Sequence, residues 1–312
     1  MPVVNMPHLH LVINHVPTLG TVIGLGLLLL AFVRRSDHLV RASLELFFLI
    51  ALVSLPVYLT GLAAQEAISG RPDVSAAAIA AHHNGVLLAF ICVEITGAVA
   101  WLALWQSRRL GASSGWTSPA VLLLALVTVV LMAGAANAGG EIRHPEIRMA
   151  EGAIETTDWT PVEAIQGFVI SSAWFWPAAE VLHFVGLSLI FGVLLVVNLR
   201  VLGGLRAASY ASLHRLLPWA MLGFGVNFVT GMLFVIASPE QYVSSDPFYW
   251  KIACLMVAGA DLLYLTVFDR LWGLEAGDDA RMLDKAIAVS VVTAWVGVIY
   301  SGRMLPFLGD SF

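Results

Sequence analysis

Of the nine histidines in this 312-residue chain, seven gather toward one side of its apolar segments. His8, His10 and His15 open the first segment, His82 and His83 open the third, His183 lies early in the fifth, and His144 sits in a long polar stretch. Only His38 and His214 belong to the opposite side. A neutral imidazole offers iron one nitrogen lone pair, and two imidazoles at one depth on neighbouring helices grip a haem from both faces. His15 and His83 each fall in the first turns of helices that run in the same direction, so they are the expected axial pair. Because His82 and His83 point about 100° apart on a helix, only one of the two faces His15. Gly20, Gly24, Gly85 and Ala89 leave room nearby for a flat macrocycle. The same outer residues admit a rival chemistry: His8, His10, His15, Glu66, His82 and His83 can approach one point, and Met1 and Met6 suit Cu(I).

His183 is the candidate ligand outside this group, with Met232 or His144 as its expected partner. Glu180-x-x-His183 does not make a di-iron site, which needs that motif twice and further carboxylates. Glu94 and Asp261 are acids in the middle of apolar segments; each is expected either to pair with an amide such as Asn198 or Asn227, or to serve proton transfer or a quinone head group. Cys92 and Cys254 lie in apolar runs, and no C-x-x-C-H occurs to attach a c-type haem. No nucleotide-binding glycine motif follows a strand.

The elements that must hold these residues are set by composition. Hydrophobic residues make up 59% of the chain and charged ones 12%, with a mean hydropathy of +0.86. Soluble domains carry about 25% charged residues, so a water-facing globule is excluded. A bilayer core of ~30 Å takes about 20 apolar helical residues, and eight such runs lie near 11–33, 42–64, 82–106, 118–138, 174–199, 216–237, 249–269 and 284–304. They are continuous, without the alternation of a barrel strand, which predicts an all-α polytopic membrane protein with eight transmembrane helices.

Lys and Arg decide orientation. Eleven of the 16 fall in one set of loops (34–41, 108–109, 200–215 and 270–285), and Arg71, Arg143, Arg148, Lys251 and Arg303 fall on the other side. Both termini are therefore expected outside, which is periplasmic for a bacterial inner membrane. The first run lacks a basic leader and a small-residue cleavage site, so it reads as a retained span. The stretch 139–173 carries Glu141, Glu146, Glu151, Glu155, Asp158 and Glu163 and reads as an acidic docking loop for an extracytoplasmic partner. It separates an N-terminal four-helix domain (1–138), holding the histidine cluster, from a C-terminal one (174–312). A faint repeat relates them: Gly24 follows His15 by nine residues, as Gly192 follows His183.

Two resemblances accompany this reading. His10-x4-His15-x-Pro17, with Thr60-Gly61 and His83, resembles an uncharacterised bacterial family of four-helix membrane domains over about residues 8–110. Glu180-x-x-His183, Leu199-Arg200-Val201-Leu202-Gly203, Leu217-Pro218-Trp219, Gly231-Met232-Leu233-Phe234, Pro239-x-x-Tyr242 and Phe248-x-x-Lys251 resemble a second uncharacterised family over about 174–270. The whole is loosely similar to b-type cytochromes and to copper-resistance membrane proteins. Together these features predict a membrane electron-transfer subunit of an oxidoreductase complex, anchor and wire rather than the place of substrate chemistry. It would carry one haem b, or a second on His183, between a periplasmic redox protein such as a cytochrome c and quinone or another membrane subunit. A copper-handling or transport protein, and a cofactor-free anchor, are the alternatives.

Overall fold

The computed structural model describes residues 5–72, 74–111, 115–143 and 160–308. Helices account for nearly all of them, and no strand occurs among the described residues. Among the described residues eight helices are long and apolar enough to cross a membrane, each over one of the eight predicted runs. The chain is a polytopic α-helical membrane protein. Its helix faces carry many exposed apolar side chains, such as Leu19, Ile23, Val130 and Val185, which lipid covers at no hydrophobic cost. Trp174, Trp219 and Trp250 are exposed near helix ends, at the level where amphipathic rings favour the interface.

The chain divides into two compact units, Met1–Leu104 with Ser113–Ile165, and Trp105–Ala112 with Gln166–Phe312. In the first, a short helix α1 (Met6–Ile13) precedes α2 (His15–Arg34), α3 (Asp37–Ile68), α4 (Ala76–Leu110) and α5 (Thr117–Arg143). The break between α1 and α2 has a local cause. Pro17 lacks an N–H, and its ring crowds the carbonyl of the residue four positions earlier, Ile13, where α1 stops. The freed turn is capped at its start by Asn5, whose side chain accepts from the His8 N–H at 3.2 Å, and α1 packs on α3. α2 packs on α3 and α5. Gly97 of α4 admits Ala51 of α3 so closely that an added Cβ would stand 2.3 Å from the alanine methyl.

A short helix α6 (Pro161–Ser171) precedes the spans of the second unit. Those are α7 (Phe175–Leu202), α9 (Leu217–Ala237) after the four-residue α8 (Tyr210–Leu213), α11 (Asp246–Val267) after α10 (Pro239–Val243), and α13 (Met282–Leu308) after α12 (Asp269–Trp272). α7 packs on α9 and α13, as α2 packs on α3 and α5 in the first unit, and α11 packs on α13. Gly186 and Gly223 bring the α7 and α9 backbones together, since a Cβ on either would lie under 3.0 Å from the other's carbonyl oxygen.

One charged residue organises the connections at the far end of α7. Arg200 is fully buried, and its guanidinium donates to the main-chain carbonyls of Ala208, Asp278 and Glu275. The planar fork serves three acceptors from two loops at once, which a single ammonium cannot reproduce. Beside it Asp279 bonds Lys285 at 2.8 Å and Arg206 at 3.1 Å, and the Lys285 hydrogen bond, with the Arg206 charge, holds its carboxyl below the usual carboxylate range. Arg200→Lys should lower stability by about 1–3 kcal/mol through unpaired buried carbonyls, whereas the half-exposed Arg206→Gln should cost well under about 1 kcal/mol. Thermal unfolding in detergent checks the difference.

Candidate functional site

A cavity of about 640 Å³ lies inside the first unit, bounded by α1, α2, α3, α4 and α5. Four of the histidines singled out in the sequence reach it: His10 from α1, His15 from α2, and His82 and His83 from α4. His8 and Glu66 are not among its walls. The remaining lining is mostly apolar or small, including Tyr58, Phe90 and Met132, and its size falls in the range of about 300–1,000 Å³ typical of cofactor pockets.

His10 and His82 are held in the same way. His10 Nδ1 lies 3.1 Å from the Val57 carbonyl oxygen and 3.3 Å from Thr60 Oγ1 on α3. His82 Nδ1 lies 2.8 Å from the Ala135 carbonyl oxygen on α5. A carbonyl only accepts, so each Nδ1 carries the proton and donates, and each neutral ring keeps its lone pair on Nε2. Four residues beyond each accepting carbonyl stands a glycine, Gly61 after Val57 and Gly139 after Ala135. A Cβ on Gly61 would lie 3.0 Å from His10 Cε1, and one on Gly139 would lie 2.9 Å from His82 Cε1. Each imidazole is thus seated in a notch that a side chain would fill.

The expected axial pair is placed differently. His15 is exposed, and its Nδ1 is engaged with the Oδ1 of the adjacent Asn14. His83 has its Nε2 3.4 Å from the Tyr58 hydroxyl, and that phenol is stacked on Phe90 with ring centroids 4.6 Å apart. All four rings line one cavity, and His10 and His82 each combine a proton-donating Nδ1 with a glycine seat.

In the second unit His183 Nδ1 lies 2.8 Å from Thr230 Oγ1 on α9. The Thr230 hydroxyl donates to the Val226 carbonyl at 2.8 Å, so it accepts from the imidazole, and the Asn227 amide nitrogen stands 3.1 Å from the ring's Nε2. His183 Cε1 faces Gly231, 3.5 Å from the position of an added Cβ. The contacts of His183 are with Thr230 and Gly231 in place of the expected Met232, which belongs to the buried core. His144, the other expected partner, lies outside the described residues, as do Met1, Glu146, Arg148, Glu151, Glu155 and Asp158 of the proposed copper and docking groups. Glu180, one turn before His183, accepts from Trp176 Nε1 at 3.2 Å. Nearby Tyr242 has its phenol pushed up to about 12 by burial, with the Glu180 charge adding to the effect.

The mid-membrane acids do not pair with the amides expected for them. Glu94 accepts from Ser54 Oγ at 2.7 Å, Asn198 donates to the Leu194 carbonyl of its own helix, and Asp261 Oδ2 is buried without a partner. No group of three or more His, Cys, Asp or Glu side chains able to hold a metal ion forms among the described residues. No protein-family model, curated protein or solved structure matches the chain. Sequence reading missed the special standing of His10 and His82. The signal for His10 was Pro17, placed to end α1 and release His10 from the helix that carries His15.

If the glycine notches hold the rings, histidine-specific acylation followed by peptide mass analysis should modify exposed His15 severalfold faster than His82. Gly139→Val should accelerate His82 selectively by expelling its ring, and equal rates at His15 and His82 in the unaltered chain would contradict the packing.

Proposed function

We infer that this chain is a membrane electron-transfer subunit that binds one b-type haem in the cavity of its N-terminal unit, with His10 and His82 as the axial ligands. The observation that carries the reading is the matched pair of seats. Two imidazoles from two helices line one cofactor-sized cavity, each with Nδ1–H donated to a backbone carbonyl and Nε2 left as a lone pair. Metal-bound histidines need this second hydrogen bond to fix tautomer and ring direction. Haem asks only two protein ligands, whereas a copper or zinc ion asks three or four. The two seated rings supply the number that haem needs.

A bound haem supplies a one-electron iron couple. The chain's own residues supply the rest of the site: Val57, Thr60 and Ala135 orient the imidazoles, Gly61 and Gly139 admit them, and the apolar walls exclude water from the cavity. His15 and His83 line the same space and remain the second pair able to face a cofactor there, with Tyr58 as partner to His83. Topology completes the proposal. The excess of Lys and Arg in one set of loops supports termini on the periplasmic side of a bacterial inner membrane. The histidines then lie near the outer face, within reach of a soluble donor such as a cytochrome c. Quinone or another membrane subunit takes the second place in the transfer.

The full chain purified from membranes should show a reducible Soret band with a sharp α-band; copper without such bands would replace this reading with the metal-handling one. His10→Ala and His82→Ala should each remove the N-terminal haem, while His15→Ala and His83→Ala retain it. The reverse pattern would return the axial role to His15 and His83. Thr60→Val should weaken haem retention by roughly 10-fold or more, the usual effect of losing a hydrogen bond that orients a ligand.

A further inference from the structure

Imidazoles and neutral side chains make up the wall of the N-terminal cavity, and no Lys, Arg, Asp or Glu lines it among the described residues. A carboxyl stands one hydrogen bond behind that wall. Ser54 of α3 lines the cavity, and its hydroxyl meets Glu94 Oε1 of α4 at 2.7 Å. Ser54 lies three residues before Val57, whose carbonyl holds His10, so the two are about 4.5 Å apart along α3.

No cation is placed to hold a charge on Glu94. It lies near the middle of a membrane span, about 16 Å along the helix from His83 and about 21 Å from Arg108. Ser54 is its one hydrogen-bond partner among the described residues. The charged and titratable residues of α2, α3 and α5 lie in their terminal turns, apart from Tyr58 and from Arg41, which pairs with Glu45 at 2.9 Å. On α4 the neighbouring titratable group is Cys92. An acid at such a depth marks a function, because an isolated buried carboxylate is costly.

The Ser54 hydroxyl suits both states of this acid. Its oxygen makes two contacts of 2.7 Å, one to Glu94 and one to the Ala51 carbonyl oxygen, yet it has a single proton to give. With Glu94 ionised, that proton serves the carboxylate. With Glu94 protonated, the carboxyl donates to Ser54, and the Ser54 proton turns to Ala51. Rotation of one hydroxyl therefore keeps the acid bonded whether or not it carries a proton.

We propose that Glu94 is a redox-linked proton acceptor, which takes up one proton as the haem of the adjoining cavity gains an electron and releases it when the electron leaves. This rests on the reading of the cavity as a haem site. One electron arrives from the soluble donor and one proton from the aqueous phase. Glu94 is favoured as a carboxylate by the positive charge that oxidised haem iron adds, and after reduction it would stand uncompensated in the apolar span, so it binds the proton. Tyr58, one turn beyond Ser54 on the same wall and 3.4 Å from His83 Nε2, gives the proton a hydroxyl on the side of the histidines.

The test is potentiometric titration of the full-length haem protein at a series of pH values. The midpoint potential should fall as pH rises, by up to about 59 mV per pH unit, the one-electron equivalent of a tenfold change. Glu94→Gln, neutral at every pH, should keep the haem, abolish this slope and hold the potential at the low-pH value of the unaltered chain. His15→Gln and His83→Gln should keep the slope. Reduced-minus-oxidised infrared spectra of the unaltered chain, which need no variant, should gain a carboxylic-acid C=O band. A potential independent of pH, a slope that survives Glu94→Gln or is lost in either histidine variant, or spectra without the carboxyl band overturn the proposal and leave the haem site intact. A chain without haem overturns the haem reading itself, and the proposal with it.

Discussion

An imidazole in a membrane span must satisfy its N–H without water, and the way this chain does so shapes both of its units. A helix carbonyl already bonds within its own ladder, yet its second lone pair can accept from a ring on a neighbouring helix. The ring reaches that oxygen only where the flanking side chain is missing. Glycine four residues beyond the carbonyl, one turn along the same face, removes the Cβ that would stand in the way. Val57 with Gly61 and Ala135 with Gly139 are two instances of this constraint, and a threonine hydroxyl replaces the carbonyl for His183 beside Gly231. For His10 and His82 the proton is drawn to Nδ1, and the lone pair is left on Nε2. Orientation, tautomer and ligand capacity follow from one contact.

The constraint also explains the break at Ile13. If α1 and α2 were one straight helix, His10 and His15 would share a rigid rod, and placing one would place the other. Pro17 ends the first segment and lets α1 lie on α3, where Thr60 and Gly61 receive His10. The second unit has no such break, because α7 runs uninterrupted from Phe175 to Leu202 and presents His183 directly to α9. The same seat is therefore reached by two helix geometries, which is consistent with duplicated halves that diverged in their first span while keeping the Thr-Gly pair of the second.

At the other membrane face the chain uses charge differently. Arg200 is buried with carbonyl partners, and the stretches it joins, 200–215 and 270–285, carry six of the 16 Lys and Arg of the chain. A guanidinium bonded only to neutral carbonyls keeps its positive charge, which adds to the charge asymmetry that orients the spans. Five of the 16, Arg71, Arg143, Arg148, Lys251 and Arg303, fall on the other side.

Much of the architecture was legible in the residues themselves. Eight apolar runs and the shortage of charge dictate eight helices, because hydrocarbon permits no exposed backbone polar groups and length decides what can span. The clustering of histidines likewise marked His10, His15, His82 and His83 as a group, and all four line one cavity. What the residues did not disclose is which rings are seated. His82 and His83 are adjacent in sequence, and the choice between them depends on Gly139 and Ala135, more than fifty residues away on another helix. Hydropathy is a property of each residue and is read along the chain; the seat of an imidazole is a property of two helices, and it exists only once their packing brings a carbonyl and a missing side chain to the same ring.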